Sequence, residues 1–243
     1  MKQIKVIIIT MIMVFSIQNT IPIHPCAETN RECVIILHGL GRTKNSMKRL
    51  ERSLVKANYI VWNNSYPSRS ERIEKLAVEH IQKGLSFCNK AEAKTIHFVT
   101  HSLGGIMVRY YLQDHKIENL GKIVMLSPPN KGSEVADFLK DRYLYKLIMG
   151  PAGQQLGTGP DSLPGSMRTT DARIGIITGN KTLDPWFSPL IPGPDDGKVS
   201  VENAKLQEMS DFLVVESSHA FIMKNTLVIN QVKYFLKHGF FER

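Results

Sequence analysis

The sequence lacks the features that mark several common classes of protein. It contains only 3 cysteines in 243 residues, and they form no C-x-x-C motif and no cysteine and histidine spacing that indicates a metal site. It has no internal repeat, no low-complexity tract and no linker rich in glycine, proline and serine. These absences favour one globular domain and give no sign of a metal centre.

Positive charge is in excess but is not concentrated in one segment. The chain has 31 lysines and arginines against 22 acidic residues, a formal net charge of +9 at pH 7. A basic surface would favour anionic lipid or nucleic acid as a partner. The basic residues are scattered along the chain without a dense run or a nucleic-acid-binding motif, so we expect no nucleic-acid partner. Peripheral contact with an anionic membrane surface stays open.

The N-terminus has the pattern of an export signal. Two lysines precede an apolar run over residues 6–17, which is too short to span a bilayer comfortably. We therefore predict a signal peptide over residues 1–27, cleaved after Ala27, and a secreted or periplasmic domain over residues 28–243. The alternative is that the segment is not cleaved and anchors the protein in a membrane.

The rest of the chain alternates between strand and helix patterns, which is typical of an α/β fold with a mostly parallel sheet and helices on both faces. A helical insertion over about 130–168 interrupts the alternation and is predicted to form a short cap. The predicted strands are Glu32–Leu37, Tyr59–Asn63, Thr95–Thr100, Lys122–Leu126, Ala172–Ile177 and Phe212–Glu216. The predicted helices are Ser46–Ala57, Ile73–Phe87, Gly104–Gln113 and Thr226–Lys237.

The third predicted strand runs into the most informative motif of the chain. Ser102 follows this strand directly and precedes Gly104 and Gly105, at the start of a helical pattern. A serine on so sharp a strand-to-helix turn presents its hydroxyl above the sheet, and its neighbours must be small to avoid a clash. The motif T-H-S-L-G is thus a variant of the nucleophile elbow G-x-S-x-G. An ordinary turn with a capping serine is the alternative.

Three further motifs lie after predicted strands. The sequence L-H-G-L-G ends the first strand at Leu37–Gly41, D-D-G-K-V-S occupies Asp195–Ser200, and His219 follows the last strand. Serine, aspartate and histidine therefore occur in the order that the α/β-hydrolase fold imposes. With these motifs the chain resembles the α/β-hydrolase superfamily, and within it the bacterial lipases and esterases.

The resemblance implies a serine hydrolase that cleaves carboxylic esters, of lipid or short acyl type, through an acyl-enzyme. Ser102 would be the nucleophile, His219 the general base, and Asp196 the carboxylate that orients the imidazole. The backbone N–H groups of Leu40 and Leu103 would form the oxyanion hole. No metal or organic cofactor is implied.

Some alternatives stay open at this point. Asp184 and Asp195 are the other candidates for the acid, and Asp184 before a proline also suits a simple turn. The same triad supports thioester cleavage and acyl transfer to an alcohol, and a non-catalytic homologue that binds a partner is a further possibility.

The insertion offers a prediction about the substrate. Over Glu134–Ile148, apolar residues recur at roughly helical spacing. We expect one cap helix above the active site, with Phe138, Leu139 or Tyr143 lining an acyl pocket. The alternative is a stripe that faces the core, which is the commoner role of such a pattern.

Two cysteines remain once the signal segment is removed. In an oxidising compartment Cys33 and Cys88 favour a disulfide. Cys33 begins the first predicted strand, and Cys88 ends the helix that leads into the third. The resemblance places these two strands side by side, so both cysteines would lie near one edge of the sheet. Two buried free thiols are the alternative.

Overall fold

A parallel sheet forms the centre of the molecule in the computed structural model, which describes residues 31–183 and 186–243. The predicted signal segment lies outside the described residues. Within them the strand order is β2-β1-β3-β4-β5-β6, and each neighbouring pair is parallel. The strands are β1 (Glu32–Leu37), β2 (Ile60–Asn63), β3 (Thr95–His101), β4 (Leu120–Leu126), β5 (Arg173–Gly179) and β6 (Asp211–Val215).

Helices connect the strands and cover both faces of the sheet. They are α1 (Lys44–Lys56), α2 (Ile73–Lys90), α3 (Leu103–Asp114), α4 (Glu134–Leu139), α5 (Tyr143–Gln154), α6 (Leu163–Ser166), α7 (Val201–Ala204) and α8 (Thr226–His238). Short 3₁₀ turns occupy Ser188–Leu190 and Ile222–Lys224. Among the described residues, no helix is both long enough and apolar enough to cross a membrane.

The alternation of side chains along the strands builds two apolar cores. In β1, Val34 and Ile36 pack with the buried faces of α1 and α8. Cys33, Ile35 and Leu37 point to the other face and pack with α2 and α3. Because both faces of the strand are covered, its apolar run is continuous, as expected for a parallel sheet between helices.

The predicted fold class is confirmed, and the ten predicted strands and helices are present with boundaries within three residues of those expected. The prediction of one helix over Glu134–Ile148 is wrong. The chain forms two helices here, α4 and α5, because Arg142 has an extended backbone (φ −77°, ψ 127°) that ends one axis and begins another.

The insertion is tied to the body of the domain by polar contacts. Within the insertion, Asp137 Oδ2 accepts hydrogen bonds from the backbone N–H and the hydroxyl of Thr158, at 2.9 and 2.6 Å, and two other contacts reach the body. Gln155 donates to both carboxylate oxygens of Glu74 on α2. The buried Arg109 on α3 donates to the backbone carbonyl of Asn130 at 2.8 Å. These contacts hold the insertion against the edge of the sheet where β3 and β4 end.

Cys33 and Cys88 form a disulfide, so the favoured pairing is confirmed. Their Cα atoms are 5.8 Å apart, and the bond joins the start of β1 to the end of α2 across 55 positions of sequence. In the chain-entropy model, closing a loop of this length stabilises the folded state by about 4 kcal/mol.

Candidate active site

Ser102 lies at the sharp turn between β3 and α3. Its backbone has φ 50° and ψ −117°, a region that residues other than glycine seldom occupy and that is associated with functional sites. The backbone N–H of Ser102 donates to the carbonyl of Leu126 on the neighbouring strand at 2.9 Å. The turn is thus anchored to the sheet while the serine side chain is directed above it.

The glycine that follows Ser102 by two residues is required by close packing. A Cβ atom at Gly104 would lie 2.7 Å from the carbonyl oxygen of Leu37, at the end of β1. This contact is too short for any side chain, so the elbow can approach the central strand only with glycine at this position.

Ser102, His219 and Asp196 are joined by hydrogen bonds. The Ser102 Oγ and His219 Nε2 atoms are 3.0 Å apart, and His219 Nδ1 lies 2.9 Å from Asp196 Oδ2. The backbone N–H of His219 also donates to the carbonyl of Asp196 at 2.9 Å. The structure therefore brings together three side chains that are far apart in sequence.

Asp196 is fully enclosed and firmly held. Its Oδ1 atom accepts hydrogen bonds from the backbone N–H groups of Lys198 and Val199, at 3.1 and 2.9 Å. Burial alone raises the pKa of Asp196, but the charge of His219 and hydrogen bonds from His219 and the Val199 N–H outweigh it and lower the pKa below its ordinary value. The carboxylate is therefore ionised at neutral pH.

The two alternative acids are placed differently. Asp195 is buried too, but its oxygens accept from the Ser188 hydroxyl at 2.6 Å and from the Gly197 N–H at 2.7 Å. It holds the turn that carries Asp196. Asp184 lies outside the described residues.

Two functional neighbours were missed by the sequence reasoning. The buried His101 Nε2 lies 3.0 Å from the carbonyl oxygen of His219, so this nitrogen carries the proton and donates it. Burial and the nearby charge of His219 hold the pKa of His101 well below its ordinary value. Ser127, which is also buried, has a positive φ of 46° at the end of β4. The sequence signal for these two residues was only their position, since His101 ends β3 and Ser127 directly follows β4.

The loop after β1 is held by His38 and Tyr66. The His38 and Tyr66 rings stack with centroids 3.8 Å apart, and the Tyr66 N–H donates to His38 Nε2 at 3.2 Å. The Tyr66 hydroxyl donates to the carbonyl of His38. His38 Nδ1 in turn donates to the carbonyl of Gly39 at 2.9 Å. Burial lowers the pKa of His38 to about 4, so the ring is neutral and keeps this tautomer.

The proposed oxyanion-hole residues lie on two separate segments. Leu103 is the first residue of α3, where a helix leaves its N–H groups without intrahelical acceptors and carries partial positive charge. Leu40 lies in the loop after β1 and lines the same cavity as Ser102. Its N–H makes no hydrogen bond to any described residue.

A cavity of about 410 Å³ opens above Ser102 and His219, within the range of small-molecule sites. Its apolar walls are Leu40, Val135, Ala136, Leu139, Ile148, Met149, Leu156, Phe187 and Val199. Of the three residues expected to line an acyl pocket, Leu139 lines this cavity. The expectation for Phe138 and Tyr143 is wrong, since both face outward and are 50% and 76% exposed.

A parallel sheet with an elbow after its third strand, and a serine, an aspartate and a histidine in that order, defines an α/β-hydrolase, as the sequence predicted. A sequence model of the palmitoyl protein thioesterase family matches residues 33–157, just over half of the chain, and the protein belongs to this family. Family and fold together make it a hydrolase that acts on esters or thioesters. No curated protein matches the chain.

Solved structures with the same fold include several bacterial hydrolases. The mature form of lipase BlEst2 from Bacillus licheniformis has a TM-score of 0.70 at 17% identity, over 86% of this chain and 93% of the lipase. Phospholipase PlaB from Legionella pneumophila has a TM-score of 0.62 at 17% identity, over 86% of this chain and 59% of PlaB. A thermophilic esterase from Thermogutta terrifontis has a TM-score of 0.54 at 12% identity, over 85% and 90% of the two chains. At these identities the likeness shows a shared fold.

Proposed function

We propose that the protein is a serine hydrolase that cleaves acyl esters of lipid or short-chain type through an acyl-enzyme on Ser102. The observation that carries the proposal is the unbroken chain of hydrogen bonds from Ser102 Oγ through His219 to the ionised Asp196, on the floor of an apolar cavity. An apolar cavity with a few convergent polar groups is the usual form of a small-molecule site.

The geometry suits a two-step reaction. As Ser102 Oγ attacks the carbonyl carbon, His219 Nε2 takes its proton, and Asp196 stabilises the resulting imidazolium. The Leu40 and Leu103 N–H groups receive the oxyanion. Collapse of the intermediate expels the alcohol, which takes the proton from His219 and leaves the acyl group on Ser102. Water, deprotonated by His219, then attacks this acyl group and releases the acid and the free serine.

Thioester cleavage is the second candidate, because the family model that matches the chain is that of palmitoyl protein thioesterases. The same machinery expels a thiol as readily as an alcohol. Turnover of an octanoyl ester and an octanoyl thioester with leaving groups of similar shape distinguishes the two. The preferred substrate is the one with the larger kcat/KM.

Export and membrane contact complete the proposal. The disulfide between Cys33 and Cys88 supports a secreted or periplasmic location, because disulfides persist in oxidising compartments. Exposed apolar side chains on α5, Tyr143, Leu144 and Leu147, support a peripheral contact with a membrane surface.

The test of the function is the loss of ester turnover in Ser102→Ala and His219→Ala. Each substitution should lower kcat by roughly 10⁴-fold or more, and the double variant should be little worse because the residues act as a unit. His238→Ala, which removes an exposed imidazole at the end of α8, is the control and should keep full activity. Substantial turnover by either single variant, purified and folded, would remove that residue from the mechanism.

A further inference from the structure

The mouth of the catalytic cavity is positively charged. Arg42 and Arg69 line it together with the apolar residues of the cap, and among the described lining residues none is acidic. Lys198 also lines the cavity, with its amine 4.3 Å from the centroid of the Phe187 ring. A cleft with charges of one sign and apolar walls concentrates ligands of the opposite charge.

Both arginines lie next to the candidate site. Arg42 follows the oxyanion loop, and its backbone N–H closes the turn by donating to the carbonyl of Gly39 at 3.1 Å. Arg42 lines the same cavity as His101 and Ser102, and its charge contributes to the low pKa of the buried His101. Arg69 Nη1 lies 3.5 Å from the carbonyl oxygen of Ile148, so it spans the gap between the body and α5.

These two guanidinium groups differ from several other exposed cations of the protein, whose charge is paired with a carboxylate. Arg31, Lys131 and Lys181, for example, each form an ion pair with a glutamate. Neither Arg42 nor Arg69 forms an ion pair with any carboxylate in residues 31–183 and 186–243. Guanidinium groups bind phosphate oxygens with paired, directional hydrogen bonds.

We infer that the substrate carries a phosphate group on the alcohol or thiol that leaves, and that Arg42 and Arg69 bind this phosphate while the acyl chain occupies the apolar walls of the cavity. The inference rests on the proposed acyl hydrolysis at Ser102 and names the class of its leaving group. The phosphate has two possible sources, a glycerophospholipid and a soluble phosphorylated thiol, and they share this chemistry.

The experiment compares matched substrates with one acyl chain. In the lipid arm, octanoyl glycerol 3-phosphate is compared with octanoyl glycerol. In the thiol arm, octanoyl coenzyme A is compared with octanoyl N-acetylcysteamine, which has the same thiol end without phosphate. The readout is the ratio of kcat/KM for the phosphorylated substrate to that for the neutral one, measured on monomeric substrates at low ionic strength.

We expect a ratio well above one in the arm that matches the natural source, and a fall of about tenfold in Arg42→Gln and in Arg69→Gln. Lys48→Gln, which removes an exposed cation of α1 outside the cavity, should keep the wild-type ratio. Added salt should lower the ratio of the wild-type protein.

Three results would overturn the inference: a ratio near one in both arms, an unchanged ratio in both arginine variants, or an equal fall in the Lys48 control. The proposed function is tested separately by the comparison with Ser102→Ala. If wild-type protein and Ser102→Ala hydrolyse the neutral and the phosphorylated substrates equally slowly, the acyl hydrolase itself is contradicted.

Discussion

At the scale of single residues, the contrast between Asp195 and Asp196 shows how two adjacent carboxylates take different tasks. Both are buried, but only Asp196 contacts the imidazole of His219. Asp195 accepts from Ser188 and Gly197 and so shapes the turn. The pair therefore offers a matched test of the acid.

Asp196→Asn should lower kcat by roughly 10⁴-fold, because an amide in this place no longer fixes the imidazole tautomer or stabilises its cation. Asp195→Asn keeps one acceptor oxygen for the Gly197 N–H, and its NH2 group can donate to the Ser188 hydroxyl, so this variant should lose little activity. The measurement is the kcat of both variants on one ester under the same conditions. An active Asp196→Asn enzyme would place the acid elsewhere, with Asp184 as the next candidate.

The sequence predicted the residues of the candidate site whose signal is local. Ser102, Asp196 and His219 each lie in a short motif in a segment that follows a strand, and their chain order limits the choice. The hydrogen bond between His101 and the carbonyl of His219 joins positions 118 residues apart. The local sequence around His101 and around His219 does not predict this hydrogen bond, because the two segments come together only in the folded sheet.

At the scale of elements, the cap shows where periodicity is insufficient. The apolar spacing over Glu134–Ile148 is helical, but spacing reports only which residues can share a face and not whether the helix axis continues. Val135 and Ala136 on α4 have core to cover and are buried. Leu144 and Leu147 on α5 do not pack against the core and are two-thirds exposed.

Adjacent residues of α4 test whether the cap selects the acyl chain. Leu139 lines the cavity and Phe138 faces outward. Leu139→Ala should change the preferred acyl length. The ratio of kcat/KM between neighbouring chain lengths should change by an amount equivalent to about 1–3 kcal/mol. Phe138→Ala should leave the preference unchanged. The measurement is kcat/KM over a series of nitrophenyl esters, with thermal melts alongside. Equal loss on every ester and a lowered melting temperature in Leu139→Ala would instead indicate a purely structural role.

At the scale of the whole molecule, buried neutral histidines make stability depend on pH. Burial and the charge of Lys122 lower the pKa of His97 from its ordinary value of 6.5 to about 4. Between these two values the unfolded chain binds a proton at His97 and the folded chain does not. This residue's contribution is therefore fully present above pH 6.5, declines as the pH falls through 6.5, and is lost completely below about pH 4.

For His97 alone, the free energy of unfolding should fall by about 2 kcal/mol between pH 7 and pH 5. In His97→Gln the free energy of unfolding should fall by about 2 kcal/mol less than in the wild-type protein between pH 7 and pH 5. Urea unfolding at the two pH values measures it, with His238→Gln as the control for removing an exposed imidazole. An identical fall in His97→Gln and in the wild-type protein would contradict the assignment.

The central claim is that Ser102 is a nucleophile activated by His219, and covalent labelling tests it most directly. The folded protein is incubated with a fluorophosphonate, and the intact mass and the modified peptide are determined by mass spectrometry. The account predicts one adduct per chain, on Ser102, that is absent in Ser102→Ala and forms far more slowly in His219→Ala. No adduct on the folded wild-type protein, or an adduct that persists in Ser102→Ala, would contradict it and favour a non-catalytic homologue.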